Sequence, residues 1–540
     1  MLFNSLEFFI FLAIVYALYR VLPFRGQNWM LLAAGYVFYG WWDWRFLFLM
    51  IFSTSVDFWS GLVLDRGRLT VRERVVPAVF LSAGAILFVG LNTSELLHRI
   101  GGMGERADLV GPFMPHVLIA IPVVLLLATI AYRLLTSLEE EKRRKACLML
   151  SIATQLTVLG FFKYFNFFIE SLDIALAGTG LSAASLHLDI VLPVGISFYT
   201  FQSMSYAIDI YRRELRPTDR FFDFALFVAF FPQFMAGPIE RARNLLPQIE
   251  LPRTVTAEQI RRGLFLIMFG LFKKVAIADG MAPLADQAYA IPDPTWGTIV
   301  VGTLAFAVQI YCDFSGYSDI ARGVSKLFGV ELMHNFNQPY FARSPREFWQ
   351  RWHISLSTWL SDYLYKPLGG NRGSLLFTCR NLMLTMVLGG LWHGAAWNYV
   401  LWGFYHGTLL SAHRILVSRL GPATDGRLLA VLKIAGFGIL TLYGWLLFRA
   451  RSMEQIGTYT STLLTGGGGL SLEVGRPAIS AALGVIVLIV WEIVQYARGG
   501  DARFYRALSV VLVGFILAIM VFLTFMGMSN EPAQFIYFQF

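Results

Sequence analysis

The sequence predicts an all-α polytopic membrane protein: a helical bundle with many bilayer-crossing helices, accompanied by re-entrant and amphipathic interfacial helices. Of its 540 residues, 56% are hydrophobic and only 15% are charged, and the mean hydropathy is +0.59. A soluble domain usually carries about 25% charged residues. Long apolar runs recur along the whole chain, and several approach the length of about 20 residues that spans a bilayer.

The apolar runs do not all predict crossings. In chain order they lie at 7–23, 28–42, 46–64, 75–92, 114–135, 147–168, 189–211, 221–238, 262–281, 297–312, 381–397, 398–413, 428–448, 478–497 and 507–527. We expect about a dozen crossings and one or two re-entrant pieces. The first run has no basic region before it and no small-residue cleavage site, so we interpret it as a retained helix rather than a signal peptide.

Lysine and arginine predict the orientation. The loops 65–74, 139–146 and 212–220 are basic, whereas 281–297 contains neither residue. Since basic loops stay in the cytoplasm, this pattern predicts a multi-pass membrane protein with its N-terminus outside. The formal charge of +9 is spread over these short loops, so we expect contact with the lipid bilayer and none with nucleic acid.

The whole chain, 1–540, is predicted to be a single integral membrane domain. Within it, the segments 221–238 and 451–477 do not fit simple crossings. Basic residues flank both ends of 221–238, which also carries two prolines, so we predict a re-entrant or in-plane element there. The segment 451–477 contains a run of four glycines and is predicted to be an extracytoplasmic loop. The remainder, 478–540, is predicted to form C-terminal helices.

The stretch 348–364, FWQRWHISLSTWLSDYL, predicts an amphipathic helix. At 100° per residue its aromatic and leucine side chains fall largely on one side, while Arg351 and Asp362 fall on the other. Such a helix can lie at the cytoplasmic interface. The preceding sequence 344–347, SPRE, predicts a serine N-cap with a capping box. His353 stands in the apolar stripe, where it either packs with one hydrogen bond or serves chemistry.

A second histidine, His393, stands in the apolar run 381–397. An ionisable residue at membrane depth is costly and indicates a functional site. Gly389, Gly390 and Gly394 surround it. Small residues let helices pack closely, but missing side chains also leave a slot for a substrate beside the imidazole, and we favour the slot. Two further histidines lack this setting, His406 and His413.

Two histidines restrict the possible chemistry. Zinc needs three or four ligands, and no cysteine or carboxylate cluster completes such a set, so we predict no metal. Cys147, Cys312 and Cys379 are too far apart to indicate a metal site or a disulfide framework. No GxSxG elbow and no Walker loop occur. General base catalysis remains, in which a neutral imidazole accepts a hydroxyl proton and contributes about 10²–10⁴ in rate.

The two histidine motifs, FWQRWHISLSTWLSDYLYKPLGG and GGLWHGAAWNYVLWG, resemble those of the membrane-bound O-acyltransferase family. Five further stretches are similar to it: VLPVGISFYTFQSMSYAIDIYRR, FFPQFMAGPIER, YCDFSGYSDIARG, HNFNQPYFARSPREFW and LFRARS. The resemblance covers most of the chain and is strongest for the bacterial branch that acetylates exopolysaccharides such as alginate.

The resemblance implies a helical bundle around a transmembrane tunnel, with a catalytic core at 189–450. His393 matches the near-invariant family histidine and is expected to be the catalytic base. His353 matches a second family position and is expected to orient or bind the acyl donor or acceptor in the same tunnel. The substrate-binding residues expected around them are Trp352, Trp392, Ser357, Asn337 and Gln338. The segment 75–135 departs from the pattern as a two-helix insertion.

The resemblance also implies a reaction. An acetyl group would pass from a cytoplasmic thioester, with acetyl-CoA as donor substrate and no bound cofactor, toward an extracytoplasmic exopolysaccharide or a periplasmic acetyltransferase partner. One alternative is transfer of D-alanine or another acyl group to a cell-wall polymer. The other is a non-enzymatic polysaccharide-export transporter, whose path would be lined by polar residues of the spans: Gln202, Asp209, Gln309 and Asp313.

The motif CDFSGYSDIARG, at 312–323, permits two interpretations. Asp313 and Asp319 either bind Arg322 or a neighbouring helix, or they gate the cytoplasmic entrance for the donor. The sequence leaves both open.

Overall fold

The computed structural model describes residues 1–92, 110–234, 237–421, 426–498, 510–528 and 535–536. Within these ranges the chain is helical, and its β-structure consists of one isolated antiparallel bridge between Leu91 and Val110. The all-α prediction is confirmed. The chain divides into two compact units, of which the first comprises Met1–Met235, Ile239–Thr256 and Phe328–Glu331, and the second comprises Ala236–Pro238, Ala257–Leu327 and Leu332–Phe540.

The first unit contains long helices followed by shorter ones. Its described α-helices are α1 (Leu6–Val21), α2 (Phe24–Gly40), α3 (Leu47–Arg66), α4 (Val71–Ala85), α5 (Met114–Ser137), α6 (Glu140–Leu159), α7 (Phe165–Leu176), α8 (Ile196–Tyr211), α9 (Phe221–Ala229) and α10 (Ala242–Glu250). π-helical turns extend α4 and join α6 to α7, at Ile86–Gly90 and Gly160–Tyr164. Short 3-10 helices lie at Trp44–Phe46, Ala184–Leu186 and Phe231–Gln233.

Helix α9 is too short to cross a bilayer, in agreement with the re-entrant element predicted at 221–238. It spans nine residues and is buried along almost its whole length. The amides of Gln202 and Gln233 both donate to the carbonyl oxygen of Phe227, at 2.8 and 2.7 Å. Side-chain amides thus provide hydrogen bonds to a backbone carbonyl near the C-terminal end of α9. A helix that ends at membrane depth requires such partners, because lipid offers none. Residues 235 and 236 lie outside the described ranges.

The second unit contains the two histidine motifs. Its described α-helices are α11 (Ala257–Leu271), α12 (Asp279–Ala290), α13 (Trp296–Leu327), α14 (Pro345–Arg351), α15 (Ile354–Leu360), α16 (Leu375–His393), α17 (Trp397–Leu420), α18 (Arg427–Arg449), α19 (Met453–Thr465), α20 (Arg476–Ala497) and α21 (Val510–Gly527). A π-helical turn, Phe272–Ala278, joins α11 to α12, and another, Ser361–Tyr365, follows α15. A 3-10 helix lies at Pro339–Phe341.

Glycines at a seven-residue spacing allow α11 and α13 to touch backbone to backbone. A methyl group at Gly270 would lie 2.5 Å from the carbonyl oxygen of Gly316, and one at Gly263 would lie 2.8 Å from that of Gly323. Seven residues are close to two helical turns, so each pair recurs on one helix face. This close approach is typical of membrane helices, whose interfaces are enriched in small residues.

Eight described helices are long and apolar enough to cross a membrane, fewer than the dozen expected. They are Trp44–Arg66, Val71–Gly90, Met114–Ser137, Glu140–Leu176, Trp296–Leu327, Leu375–His393, Arg427–Arg449 and Arg476–Ala497. Several of the other apolar runs form shorter helices, and the number of crossings stays a prediction. Helices α1, α2 and α8 have 16, 17 and 16 residues, whereas a full crossing takes about 20.

The segment 451–477 differs from the loop that its glycines indicated, because its first half forms α19. Ser452 caps this helix by accepting a hydrogen bond from the backbone nitrogen of Gln455, at 3.1 Å, and the helix ends before Gly466. The segments 75–135 and 478–540 contain helices, but residues 93–109, 499–509, 529–534 and 537–540 lie outside the described ranges. The insertion and the predicted domain boundaries stay predictions.

Candidate active site

The predicted helix at 348–364 is broken at His353. Helix α14 ends at Arg351, and α15 begins at Ile354. His353 has φ 43° and ψ 54°, which is the left-handed conformation. A residue other than glycine adopts this conformation at a cost of about 1–2 kcal/mol, so the surrounding contacts must hold it. The prediction of one continuous helix is therefore wrong, although the amphipathic pattern is continuous.

The start of α14 follows the predicted cap. The side chain of Ser344 accepts a hydrogen bond from the backbone nitrogen of Glu347, at 3.3 Å, and Pro345 occupies the first helical position. The carboxylate of Glu347 accepts from the backbone nitrogen of Arg343, at 2.9 Å, and also pairs with Arg351. The serine N-cap is confirmed, while the glutamate holds the residue before the cap rather than the cap itself.

Asn335 holds the imidazole of His353. Its Oδ1 lies 3.0 Å from Nδ1 of His353 and accepts hydrogen bonds from the backbone nitrogen and the hydroxyl of Ser355, at 3.2 and 2.9 Å. Its Nδ2 donates to the hydroxyl of Ser318 on α13, at 3.2 Å. His353 is fully buried and lies outside the candidate spans. Burial away from water lowers its pKa to about 3, which keeps the ring neutral.

The structure brings the two sequence-predicted histidines together. The ring centroids of His353 and His393 are 6.4 Å apart. His393 is the last residue of α16 and packs against the rings of Trp402 and Phe448, at 5.1 and 5.5 Å. Trp392 packs beside both histidines, with ring centroids 6.0 Å from His353 and 5.1 Å from His393. Residues forty positions apart in the sequence thus form one aromatic-walled cluster.

A cavity of about 240 Å³ lies on the Asn335 side of this cluster. The side chains that line it are mostly polar: Leu266, Phe269, Lys273, Tyr311, Ser318, Asp319, Arg322, His334, Asn335, Phe336, Asn337, Gln338, Ile354, Glu492 and Gln495. Neither His353 nor His393 is among them. Two lining residues are neighbours of His353: Asn335 contacts the imidazole ring of His353, and Ile354 follows His353 in the chain.

The five predicted substrate-binding residues occupy three different settings. Asn337 and Gln338 line the cavity, and the amide of Gln338 donates to Gln495 at 2.7 Å. Trp392 belongs to the histidine cluster. Trp352 is buried one residue before His353 and packs against Trp445, with centroids 4.7 Å apart. The hydroxyl of Ser357 donates to the carbonyl oxygen of Trp352, at 3.0 Å. No described contact tests whether any of them binds substrate.

The glycines around His393 serve close packing rather than the expected slot. A methyl group at Gly390 would lie 2.2 Å from the carbonyl oxygen of Tyr399, and one at Gly394 would lie 2.2 Å from the ring of the same tyrosine. A methyl group at Gly389 would lie 3.1 Å from Leu360. The space beside α16 is thus filled by α17 and α15. The slot interpretation is wrong for these three positions.

Replacement of Gly390 by alanine is expected to lower the free energy of unfolding by about 1–3 kcal/mol, because the new methyl group forces α16 and α17 apart. The measurement is thermal unfolding of the purified protein in detergent. Gly436→Ala is the matched control, since no atom lies within 4 Å of a methyl group built there in α18. Equal midpoints for the two variants would contradict the packing assignment.

The acidic residues of the 312–323 motif bind cations of the same unit. Asp313 pairs with Lys274 at 2.9 Å, and Asp319 pairs with Arg322 at 3.2 Å and with Lys273. The interpretation that these residues bind Arg322 or a neighbouring helix is confirmed. Asp319 and Arg322 also line the cavity, so the gating interpretation stays a prediction for Asp319 alone.

Sequence reasoning missed Asn335, whose amide oxygen lies 3.0 Å from Nδ1 of His353. The quoted motif HNFNQPYF contains both Asn335 and Asn337, but nothing in the letters ranks one above the other. The structure separates them: Asn335 is buried, and Asn337 is exposed. Tyr311, whose hydroxyl donates to Glu492 across the cavity, was also missed. No group of three or more metal-ligating residues occurs in the part of the chain that is described.

Comparison with known proteins identifies the class. The model of the membrane-bound O-acyltransferase family matches residues 212–453. A probable alginate O-acetylase of Azotobacter vinelandii is 40% identical over 84% of this chain and 76% of its own length. A peptidoglycan O-acetyltransferase of Helicobacter pylori is 37% identical over 58% of this chain and 63% of its own. A teichoic acid D-alanyltransferase of Bacillus subtilis is 30% identical over 41% of this chain and 58% of its own.

The chain belongs to the membrane-bound O-acyltransferase family. It is a multi-pass membrane protein and an O-acyltransferase, as the histidine motifs predicted. The transporter alternative is set aside, because the relatives reported above are named as acyl-transferring enzymes.

Proposed function

We propose that this protein transfers an acetyl group from a cytoplasmic thioester, with acetyl-CoA as the donor, toward an extracytoplasmic polysaccharide of the alginate type. The observation that carries the proposal is the pair of imidazoles 6.4 Å apart behind a polar cavity. The name of the Azotobacter relative, which matches most of this chain, supports acetyl as the group and a polysaccharide as the acceptor.

The proposed step uses His393 as the general base. The oxygen of an acceptor hydroxyl attacks the carbonyl carbon of the acetyl thioester, and its proton passes to the imidazole. The carbon–sulfur bond then breaks, and the departing thiolate takes up that proton as a thiol. His353 binds the acceptor and orients it. The products are an O-acetyl ester and a free thiol, so atoms and charges balance without a cofactor.

The cavity suits the acetyl-carrying end of a thioester donor. Its amide groups, on Asn337, Gln338 and Gln495, can form hydrogen bonds with the amides of a coenzyme-type arm. At about 240 Å³ it is smaller than a typical pocket for a whole ligand. We therefore assign it to the acetyl group and the adjacent arm. For the acceptor to reach His393, the rings of Trp392, Trp402 and Phe448 must move.

The membrane orientation is part of the proposal. The basic loops 65–74, 139–146 and 212–220 would face the cytoplasm of a bacterial inner membrane, with the N-terminus outside. A donor would then come from the basic side. The glycan itself, or a periplasmic acetyltransferase partner, would receive the acetyl group on the other side.

The test is acetyl transfer by the purified protein in proteoliposomes. Radiolabelled acetyl-CoA serves as donor, and deacetylated alginate oligosaccharides or peptidoglycan fragments serve as acceptors. We expect label in the alginate-type acceptor. Label in peptidoglycan alone would redirect the acceptor assignment. Transfer only from a D-alanyl carrier-protein thioester, supplied in a parallel reaction with lipoteichoic acid, would overturn the proposal in favour of the cell-wall alternative.

His353 should not cause the rate to fall as the pH is lowered through 6.5, where an exposed histidine takes up its proton. Burial lowers the pKa of His353 to about 3. A lowered pKa means that the neutral, proton-accepting ring persists well below pH 6.5, so protonation of this residue cannot reduce the rate between pH 8 and 6. The measurement is kcat across that range. A decline centred near pH 6.5 that disappears in His353→Gln would contradict the buried, neutral assignment.

A further inference from the structure

The buried asparagine Asn335 has no role in the catalytic step described above, yet it contacts His353 directly. It lies on the segment between α13 and α14 and is almost fully buried. Its side-chain amide has two ends, an oxygen that accepts hydrogen bonds and a nitrogen that donates them. Which end faces His353 therefore decides which nitrogen of the imidazole carries a proton.

The backbone nitrogen of Ser355 fixes the orientation of this amide. A backbone N–H can only donate, and it lies 3.2 Å from the Asn335 atom that faces His353. That atom must be the amide oxygen, Oδ1. The opposite end is then Nδ2, which donates to the hydroxyl of Ser318 at 3.2 Å. The backbone contact from Ser355 thus determines how the amide is turned, and the hydroxyl of Ser318, which can donate or accept, is compatible with that orientation.

The tautomer of His353 follows from this orientation. Its Nδ1 lies 3.0 Å from the same amide oxygen. An oxygen acceptor requires a donor, so Nδ1 carries the proton, and the neutral ring has its lone pair on Nε2. The backbone assists, because Ile354 donates its backbone N–H to the carbonyl oxygen of Asn335 at 2.9 Å. A side-chain contact and a backbone hydrogen bond therefore both connect Asn335 to the left-handed turn at His353.

We infer that Asn335 is a positioning residue for acyl transfer, which holds His353 as the Nδ1–H tautomer so that Nε2 accepts a hydrogen bond from a second hydroxyl of the acceptor sugar and orients the acceptor for attack. This inference rests on the proposed function, since it needs His353 to act in the reaction. Ser318 supports the same arrangement, because its hydroxyl accepts a hydrogen bond from Nδ2 and holds the far end of the amide in place. A turned amide would present its NH2 group to Nδ1 and favour the other tautomer.

The test compares Asn335→Leu, Asn335→Asp and Ser318→Ala in the proteoliposome assay with acetyl-CoA. Leucine has a similar volume but no acceptor, and we expect kcat to fall by about 10²-fold while the KM for acetyl-CoA stays close to that of the wild type. Aspartate keeps an oxygen acceptor for Nδ1–H, and we expect it to restore most of the activity. Ser318→Ala should lower kcat by a smaller factor, again without a change in KM.

Asn381→Leu is the matched control. Asn381 is equally buried, on α16, and its amide donates to the carbonyl oxygen of Gly370 at 3.0 Å, with no histidine in contact. A kcat of Asn335→Leu equal to that of this control would overturn the inference, as would an Asn335→Asp variant no better than the leucine variant. Should Asn335→Leu fail to accumulate, Ser318→Ala decides: wild-type kcat overturns the inference, and a reduced kcat at unchanged KM supports it.

The proposed function and the role of Asn335 can be refuted separately. If the wild-type protein transfers no label from acetyl-CoA to any acceptor, the proposed function is wrong. If the wild type is active and the three variants keep its kcat, the proposed function stands and the role of Asn335 is wrong.

Discussion

Replacement of His393 by alanine is expected to lower kcat for acetyl transfer by about 10²–10⁴-fold, which is the contribution of a positioned general base. The imidazole is 4% exposed and ends α16 among aromatic rings. No other histidine except His353 lies close enough in the described cluster to replace it. The KM for acetyl-CoA should change little, because His393 does not line the cavity. The measurement is single-turnover transfer of label in proteoliposomes.

His406→Gln is the control for this variant. His406 is as deeply buried, at 2% exposure, and packs face to face with Phe348, with ring centroids 6.0 Å apart. It has no place in the proposed reaction. We expect the control to keep kcat near the wild-type value even if it is less stable. Losses of equal size in both variants would indicate a packing effect, and wild-type activity in His393→Ala would refute the assignment of the base.

Replacement of Lys274 by methionine is expected to lower the free energy of unfolding by about 3–5 kcal/mol. The ammonium group is 1% exposed and pairs with Asp279 and Asp313, at 2.8 and 2.9 Å. Removing the ammonium group leaves two buried carboxylates without a compensating charge. This lowers the free energy of unfolding far more than replacing both the cation and its carboxylate partners by apolar residues would. Asp313 also accepts a hydrogen bond from the backbone nitrogen of Ile536, at 2.8 Å. The contact that holds Ile536, near the C-terminus, should therefore weaken as well.

The measurement for Lys274→Met is thermal unfolding in detergent, together with protease sensitivity of the C-terminal segment. Lys366→Met is the matched control, because Lys366 forms an exposed pair with Asp362 at 2.6 Å. An exposed pair contributes about 0–1 kcal/mol. A double variant, Lys274→Met with Asp313→Asn, should recover part of the loss by removing one uncompensated charge. Unfolding midpoints of Lys274→Met and Lys366→Met that coincide would refute the assigned role of Lys274.

The helical class could be predicted because apolar composition and run length act locally. Helix α13, Trp296–Leu327, shows what could not be predicted: its glycines contact the backbone of α11, and the sequence does not reveal that these two segments pair. The end of a helix such as α9 could not be predicted either, since run length in the sequence does not reveal where the helix stops. There, glutamine amides from elsewhere in the chain satisfy the ending helix.

The two histidines could be identified from the sequence because ionisable residues in apolar surroundings are unusual. Their juxtaposition could not, and neither could the left-handed turn at His353, because the amphipathic pattern runs through it without interruption. The turn depends on tertiary contacts from Asn335, which is remote in the chain. The glycines near His393 show the opposite case. Their local pattern suggested a substrate slot, but Tyr399 of the next helix occupies the space beside Gly390 and Gly394.

The central claim is that the two imidazoles and the adjacent cavity form one acetyl-transfer centre. Its most direct test is an electron cryo-microscopy structure with a non-hydrolysable thioether analogue of acetyl-CoA. The account predicts the acetyl group at the inner end of the cavity, with its carbonyl carbon about 3–3.5 Å from the oxygen of an acceptor held at an imidazole nitrogen. An acetyl group bound elsewhere, with His353 and His393 still enclosed by Trp392, Trp402 and Phe448, would contradict it.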